Sequence, residues 1–415
     1  MVSTVIKNLV QKFLPKEKID LLVHTFFNYL DKMVNMLSPL VIIRVLHNEL
    51  LYNDIEYVLS SSIILSVLVD FGLSSYYFYG YRQSEDKKEY IHTIERSFFL
   101  LFALQTVFVF AFVGLYFITK SPFLIVYACI LIRTLFLSYT NFKFNTFRVI
   151  DKPSKIFFIT IPVNLFSLLI FYIAYTYYSK VTIYYFMGLA VFELVYVVYS
   201  FLKYSDLRIK QFWPTLKTSV IFAWPLMINV FLINTISNYG KIYAFQNLPA
   251  ASMTRLALLQ RFMIIIQLAH TASTSFFLKK IFDKKSVTID LKVFKSYSSS
   301  MVISVLLIIG CIQVNNSYGL VKYLPFDMSF WFLIVFFIFY AYGAYLSTYF
   351  TVLNKNKLRM YSSTVMVVLY MAALWIFKPS TLIQLTLVML TTMGINLVFT
   401  LYYLNKNGVF KHSEI

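Results

Sequence analysis

Five polar side chains, His24, Asn28, Asp31, Asn35 and Ser38, recur at steps of four, three, four and three. On a helix this spacing stacks all five on one face. One polar residue in an apolar helix is usually a hydrogen-bonded tie to a neighbour; five on one stripe read as a wetted wall. Lys32 points away from that stripe and is free to meet an acid on another helix. A second set, Ser62, Ser66 and Asp70, also falls on one face, with Gly72 beside it for close helix approach. Asp70 fits two roles equally, a carboxylate that takes up a proton or cation and a structural partner for Arg44 or Lys32. Further along, Trp224-Pro225 precedes Asn229, Asn234, Ser237 and Asn238, and the next apolar run holds Arg255, Gln260, Arg261, Gln267, His270, Thr271 and Thr274. Arginine is a good bidentate partner for phosphate. The plain alternative for Arg255 is that it snorkels to the interface, whereas Arg261 lies about a turn and a half deeper. Arg133 and Glu193 stand alone in their runs and fit structural pairing.

The elements that carry these residues are apolar runs of roughly twenty residues, the length of a membrane-spanning helix. Of the 415 residues, 59% are hydrophobic and the mean hydropathy is +0.71. No soluble core can bury so large an apolar share. A membrane barrel would alternate in short segments. The predicted class is an all-α membrane protein with about twelve transmembrane helices, in two six-helix bundles around a central cavity. The runs lie near 20–46, 55–80, 97–119, 122–141, 156–178, 182–203, 218–239, 252–278, 296–314, 328–352, 360–377 and 380–404. Seven of the ten prolines mark their ends; Pro39, Pro162 and Pro225 lie inside, where membrane helices tolerate a kink. The division drawn from this is an amphipathic interfacial helix over 1–16, a bundle over 17–204, a linker over 205–217, a second bundle over 218–404 and a tail over 405–415.

Charge sets the orientation. With a cytoplasmic N-terminus, 27 of the 37 Lys and Arg fall in inner segments and five, Lys120, Lys180, Lys241, Lys322 and Lys378, in outer loops. Lys32, Arg44, Arg133, Arg255 and Arg261 lie within spans. Such asymmetry places both termini in the cytoplasm. It also explains the net charge of +19 without nucleic acid as a partner. Cys129 and Cys311 sit in apolar runs, and no disulfide framework or zinc spacing is available from two cysteines. The first apolar run, with its charges and no small-residue cleavage site, is expected to stay in the protein.

The segment Pro39-Leu40-Val41-Ile42-Ile43-Arg44-Val45-Leu46, with Asp70-Phe71-Gly72-Leu73-Ser74 closing the second span, resembles the opening of polysaccharide exporters of the multidrug/oligosaccharidyl-lipid/polysaccharide superfamily. These commonly carry Arg-x-Leu at the end of span one and Asp-Phe-Gly-Leu at the end of span two. Asn238-Tyr239-Gly240-Lys241 through Leu259-Gln260-Arg261-Phe262 is similar to their span seven to eight region. The first two polar spans of each half, and a slight match of Tyr57–Phe78 with Leu256–Phe277, fit a two-halved transporter. Where the family usually has Leu-Gly-Pro, this chain has Leu46-His47-Asn48-Glu49. The type most resembled is the O-antigen flippase.

This resemblance implies translocation of undecaprenyl-diphosphate-linked oligosaccharide units across the bacterial inner membrane, by alternating access coupled to H+ or Na+. It also implies a cationic cavity, and points to membrane lipids, a polymerase and a chain-length regulator as partners. In that frame Arg44, Arg255, Arg261 and Lys32 attract the diphosphate. His24, Asn28, Asn35, Asn234, Asn238, Gln260 and Gln267 line the sugar path, and Asp31, Asp70 and His270 are the ion-coupling candidates. No cofactor is expected: the sequence has no nucleotide loop, metal cluster or nucleophile–base pair. A multidrug or other lipid exporter of the same superfamily is the alternative, disfavoured because Arg and Lys outnumber Asp and Glu in the spans. A membrane polysaccharide polymerase or glycosyltransferase would need carboxylates in a large outer loop, and no gap between runs exceeds about 20 residues.

Overall fold

The structure, a computed structural model, describes Phe27, Leu30, Asp31 and residues 33–35, then 38–149, 153–177, 182–204, 209–283, 288–353 and 355–410. The expected interfacial helix over 1–16 and the candidates His24, Asn28 and Lys32 lie outside the described residues. Lipid offers no hydrogen bonds to a backbone, so long apolar segments close their own as helices. After a helical segment over 38–46 the order is α1 (Glu49–Val69), α2 (Leu73–Gln83), α3 (Lys87–Thr119), α4 (Pro122–Val149), α5 (Phe157–Tyr177) and α6 (Ile183–Lys203). There follow α7 (Ile209–Asn247), α8 (Ala250–Asp283), α9 (Leu291–Tyr318), α10 (Met328–Val352), α11 (Asn356–Phe377) and α12 (Leu382–Lys406). No strand occurs among the described residues. Ten helices, α3 to α12, are long and apolar enough to cross a membrane. The chain is an all-helical, multi-pass membrane protein. A shorter apolar helix, Met33–Leu46, and the helices α1 and α2 precede them, in keeping with a count of about twelve.

Helix ends follow side-chain chemistry. Asn48 accepts the Leu51 N–H at the start of α1, Asp86 accepts from Lys88 and Glu89 before α3, and Asp290 from Lys292 and Val293 before α9. Lys120, Gly319 and Lys378 close α3, α9 and α11 in the left-handed conformation.

Three expectations are corrected. The span drawn over 55–80 is two helices. After Val69 the chain turns at Asp70, with Phe71 at φ 49° and Gly72 at φ 76°, and the Asp70 carboxylate accepts the Gly72 N–H at 2.9 Å. Glycine takes positive φ without a Cβ penalty, so the break falls where Gly72 stands. At its other end the span begins at Glu49, because Asn48 caps it there. Lys241, assigned to an outer loop, is buried within α7, which runs on to Asn247 before Pro249. Arg359, counted with the basic inner loops, is inside α11.

Contacts group the chain into two compact units, residues 1–39 with 73–219, and 40–72 with 220–415. Residues 40–72, expected with the N-terminal bundle, therefore group with the C-terminal helices. In the first unit α6 packs on α4 and α5. Phe98 stacks on Phe142 at 3.9 Å, and a Cβ on Gly188 would lie 2.4 Å from the Ser167 Cα, so α5 and α6 meet backbone to backbone. In the second unit α10 packs on α12, and α8 on α1, α9 and α10.

Candidate functional site: a buried carboxylate between two cations

The densest ionic chemistry lies in the second unit, where α1 and α8 pack and α7 supplies a third side chain. The buried face of α1 carries Tyr52, Asn53, Glu56 and Ser60. Near the start of α8, Asn53 donates to the Ala250 carbonyl at 3.0 Å and accepts the Thr254 hydroxyl at 3.0 Å. These ties fix the register of the two helices and set Glu56, one turn on, against Arg261.

Glu56 is 1% exposed. Its Oε1 accepts from Arg261 Nε at 2.6 Å and also from Arg261 Nη2, while Lys241 Nζ donates to Oε2 at 3.2 Å. Tyr52 completes the group, its hydroxyl 3.3 Å from Arg261 Nε and its ring 6.0 Å from the guanidinium carbon. The Arg261 and Lys241 side chains are 11% and 10% exposed. Three ionised groups have left water here, at a cost of several kcal/mol each before their mutual attraction is counted. Each carboxylate oxygen faces its own cation, the arrangement that recovers most of that cost. Lys241 is held in place by the close approach at its neighbour: a Cβ on Gly240 would lie 2.7 Å from Met389 Sδ of α12.

Around this centre the ionic contacts become wetter. Arg255 of α8 pairs with Asp327 at 2.5 Å, and Lys322 with Glu49 at 2.5 Å; all four side chains are at least a quarter exposed. Burial raises the Asp327 pKa, but the hydrogen bonds from Arg255, the Ser329 hydroxyl and the Phe330 N–H outweigh it, and the carboxyl ends below its usual range. Arg44 is exposed on the helical segment before α1.

Of the other candidates of the second unit, Asn234 and His270 tie helices together. Asn234 of α7 donates to the Ile63 carbonyl of α1 at 3.1 Å, and Asn238 donates to the Asn234 carbonyl and to Ser237. Gln260 is buried with no partner for its Nε2 among the described residues, and Gln267 is half-buried. His270 Nδ1 lies 2.8 Å from the Tyr297 hydroxyl, which donates its proton to the Ala341 carbonyl. The histidine must therefore be the donor, with its proton on Nδ1. Asp70 is the cap of the break described above.

In the first unit the three described members of the early stripe meet partners on α4, α5 and α6, Ser38 through the Tyr185 hydroxyl at 2.7 Å. Asp31 accepts the Thr160 hydroxyl at 2.6 Å, and Asn35 accepts from Arg133 at 3.1 Å. Arg133 also reaches Asn164 at 3.5 Å. Glu193, 1% exposed on α6, has no hydrogen-bond partner for Oε1 among the described residues. Near the end of α6, Glu95 joins Lys143 at 2.9 Å and the Tyr204 hydroxyl at 2.8 Å.

Sequence reasoning missed Glu56 and the burial of Lys241. Two signals were there: Asn48-Glu49 as a helix start, which places Glu56 seven residues deep, and Pro249 as the first residue able to stop α7.

No protein-family model matches the chain, and no curated protein is similar to it. Among solved structures it is similar to a crystal structure of MATE in complex with Br-NRF, with a TM-score of 0.48 and 12% identity over 94% of each chain.

Proposed function

We propose that this chain is a membrane exporter that translocates an anionic, lipid-linked amphiphile. The substrate is an undecaprenyl-diphosphate-linked oligosaccharide of the O-antigen kind, and the membrane is the bacterial inner membrane. The observation that carries this reading is the meeting of Arg261 and Lys241 on one buried carboxylate inside the helix bundle. Ionisable groups kept at membrane depth are expensive and mark pathways for charged cargo. A phosphate group offers the two cations the same kind of oxygen that Glu56 offers, with more charge, so it competes for them on arrival. Arg255, held by a half-buried aspartate, and Arg44, at the surface, stand as less buried cations toward which a diphosphate is drawn. The polar side chains of α7 and α8 suit sugar hydroxyls. Asp31, Asp70 and His270 remain the ion-coupling candidates.

In a strain lacking this chain, lipid-linked repeat units should accumulate in the cytoplasmic leaflet, and the wild-type gene should clear them. Arg261→Ala should abolish that rescue at normal protein levels. Full export by Arg261→Ala would refute the assignment.

A further inference from the structure

A second place in the same unit carries the chemistry of a binding site. A cavity opens among α7, α10, α11 and α12, lined by Arg359, Tyr340, Ser362, Asn396 and Thr400. Its remaining walls are chiefly apolar, from Ile233, Ile236 and Phe350. Arg359 sits in the first turn of α11 and has no acidic partner among the described residues. Arginine in a membrane bundle almost always meets an acid, a carbonyl or water. Here Arg359 lines an open space together with Asn396, Tyr340 and Thr400. Two other hydroxyls of the lining are already committed as donors, Ser363 to Asn229 Oδ1 at 2.9 Å and Ser347 to the Ala344 carbonyl at 2.7 Å. The Asn396 amide has one N–H on Met393 Sδ at 3.8 Å and a second left over; with the Tyr340 and Thr400 hydroxyls it shares the lining with one positive charge and no negative one, the complement of an oxyanion. The apolar walls suit the carbon skeleton such an anion is attached to.

We propose that this cavity binds a phosphate group, with Arg359 as its charge partner. The site shares no residue with the Glu56 cluster and does not depend on the export reading.

Two variants separate charge from space. Arg359→Gln removes the cation. Gly343→Leu keeps it and fills the cavity: Gly343 lines the space, and a Cβ there meets nothing within 4 Å, so the helix accepts a side chain. The full chain in neutral detergent is titrated with inorganic phosphate, with phosphatidic acid and with phosphatidylcholine, and thermal unfolding is followed. The expected result is a saturable rise in midpoint with a phosphate ligand, at least tenfold weaker in apparent affinity for Arg359→Gln, as loss of a hydrogen bond to a charged group implies, and weakened at least as much for Gly343→Leu, whose side chain occupies the space. A rise with phosphatidic acid alone identifies a lipid headgroup, and a rise with inorganic phosphate alone identifies the free anion; either supports the site. If Arg359→Gln fails to fold, Gly343→Leu carries the test. No rise with either phosphate ligand, an equal rise with phosphatidylcholine, or a rise unchanged in the variants overturns the proposal.

Discussion

Replacing Glu56 by glutamine removes one negative charge and almost no volume from the centre of the second unit. In the wild type this carboxylate faces Lys241 at 3.2 Å and Arg261 at 2.6 Å. At an effective dielectric of ~20, the attraction across the longer distance alone is about 5 kcal/mol. Glutamine keeps one acceptor oxygen for the guanidinium but turns an amide N–H2 toward the ammonium, leaving two buried cations facing each other. Breaking a buried pair in this way costs about 3–5 kcal/mol, two or more powers of ten in the unfolding equilibrium. The pair Glu56→Gln, Lys241→Met removes one charge of each sign and returns the net charge of the described cluster to its wild-type value. It should recover a substantial part of the loss, giving a coupling energy that favours the double variant. Unfolding of purified protein in detergent, followed by fluorescence, measures all three. If Glu56→Gln lies within about 0.5 kcal/mol of wild type, or the double variant is worse than Glu56→Gln alone, Glu56 is not the counter-ion argued here.

Two further outcomes follow from other parts of the fold. The folded Asp327 carboxyl titrates below its unfolded value, so it adds stability above the ordinary aspartate range, near pH ~3.9, and loses it as pH falls through the depressed folded value. Asp327→Asn should flatten that acid limb of the stability profile, and an unchanged limb would deny the Arg255 pairing its role. Gly188→Ala places a methyl 2.4 Å from the Ser167 backbone, which no side-chain movement relieves. Overpacking costs about 1–3 kcal/mol or more, and a wild-type melting midpoint for this variant would contradict the α5–α6 contact.

The helical architecture was legible because lipid demands it: runs of apolar residues and the prolines at their ends leave little freedom. Boundaries were less legible where the chain is polar. The run 49–54 is too polar to read as a span, yet Asn48 begins a helix there, and that shift hid Glu56. The run drawn over 218–239 ends one residue short of Gly240, which is a contact point against Met389 within a longer helix. The break at Asp70 was half visible: Gly72 was noticed, but as a place for helix approach rather than for positive φ. Spacing along one helix found Arg261. It did not find Glu56 or Lys241, because Glu56 meets Arg261 and Lys241 across 205 and 185 residues of sequence respectively.

That separation has a price in time. The ribosome delivers Glu56 some 205 residues before Arg261, roughly ten to forty seconds at ordinary synthesis rates. Through that interval the segment bearing Glu56 has none of the cationic contacts that later offset its desolvation. Biogenesis must shelter this helix at the insertion machinery, or hold it at the interface, until the later helices arrive.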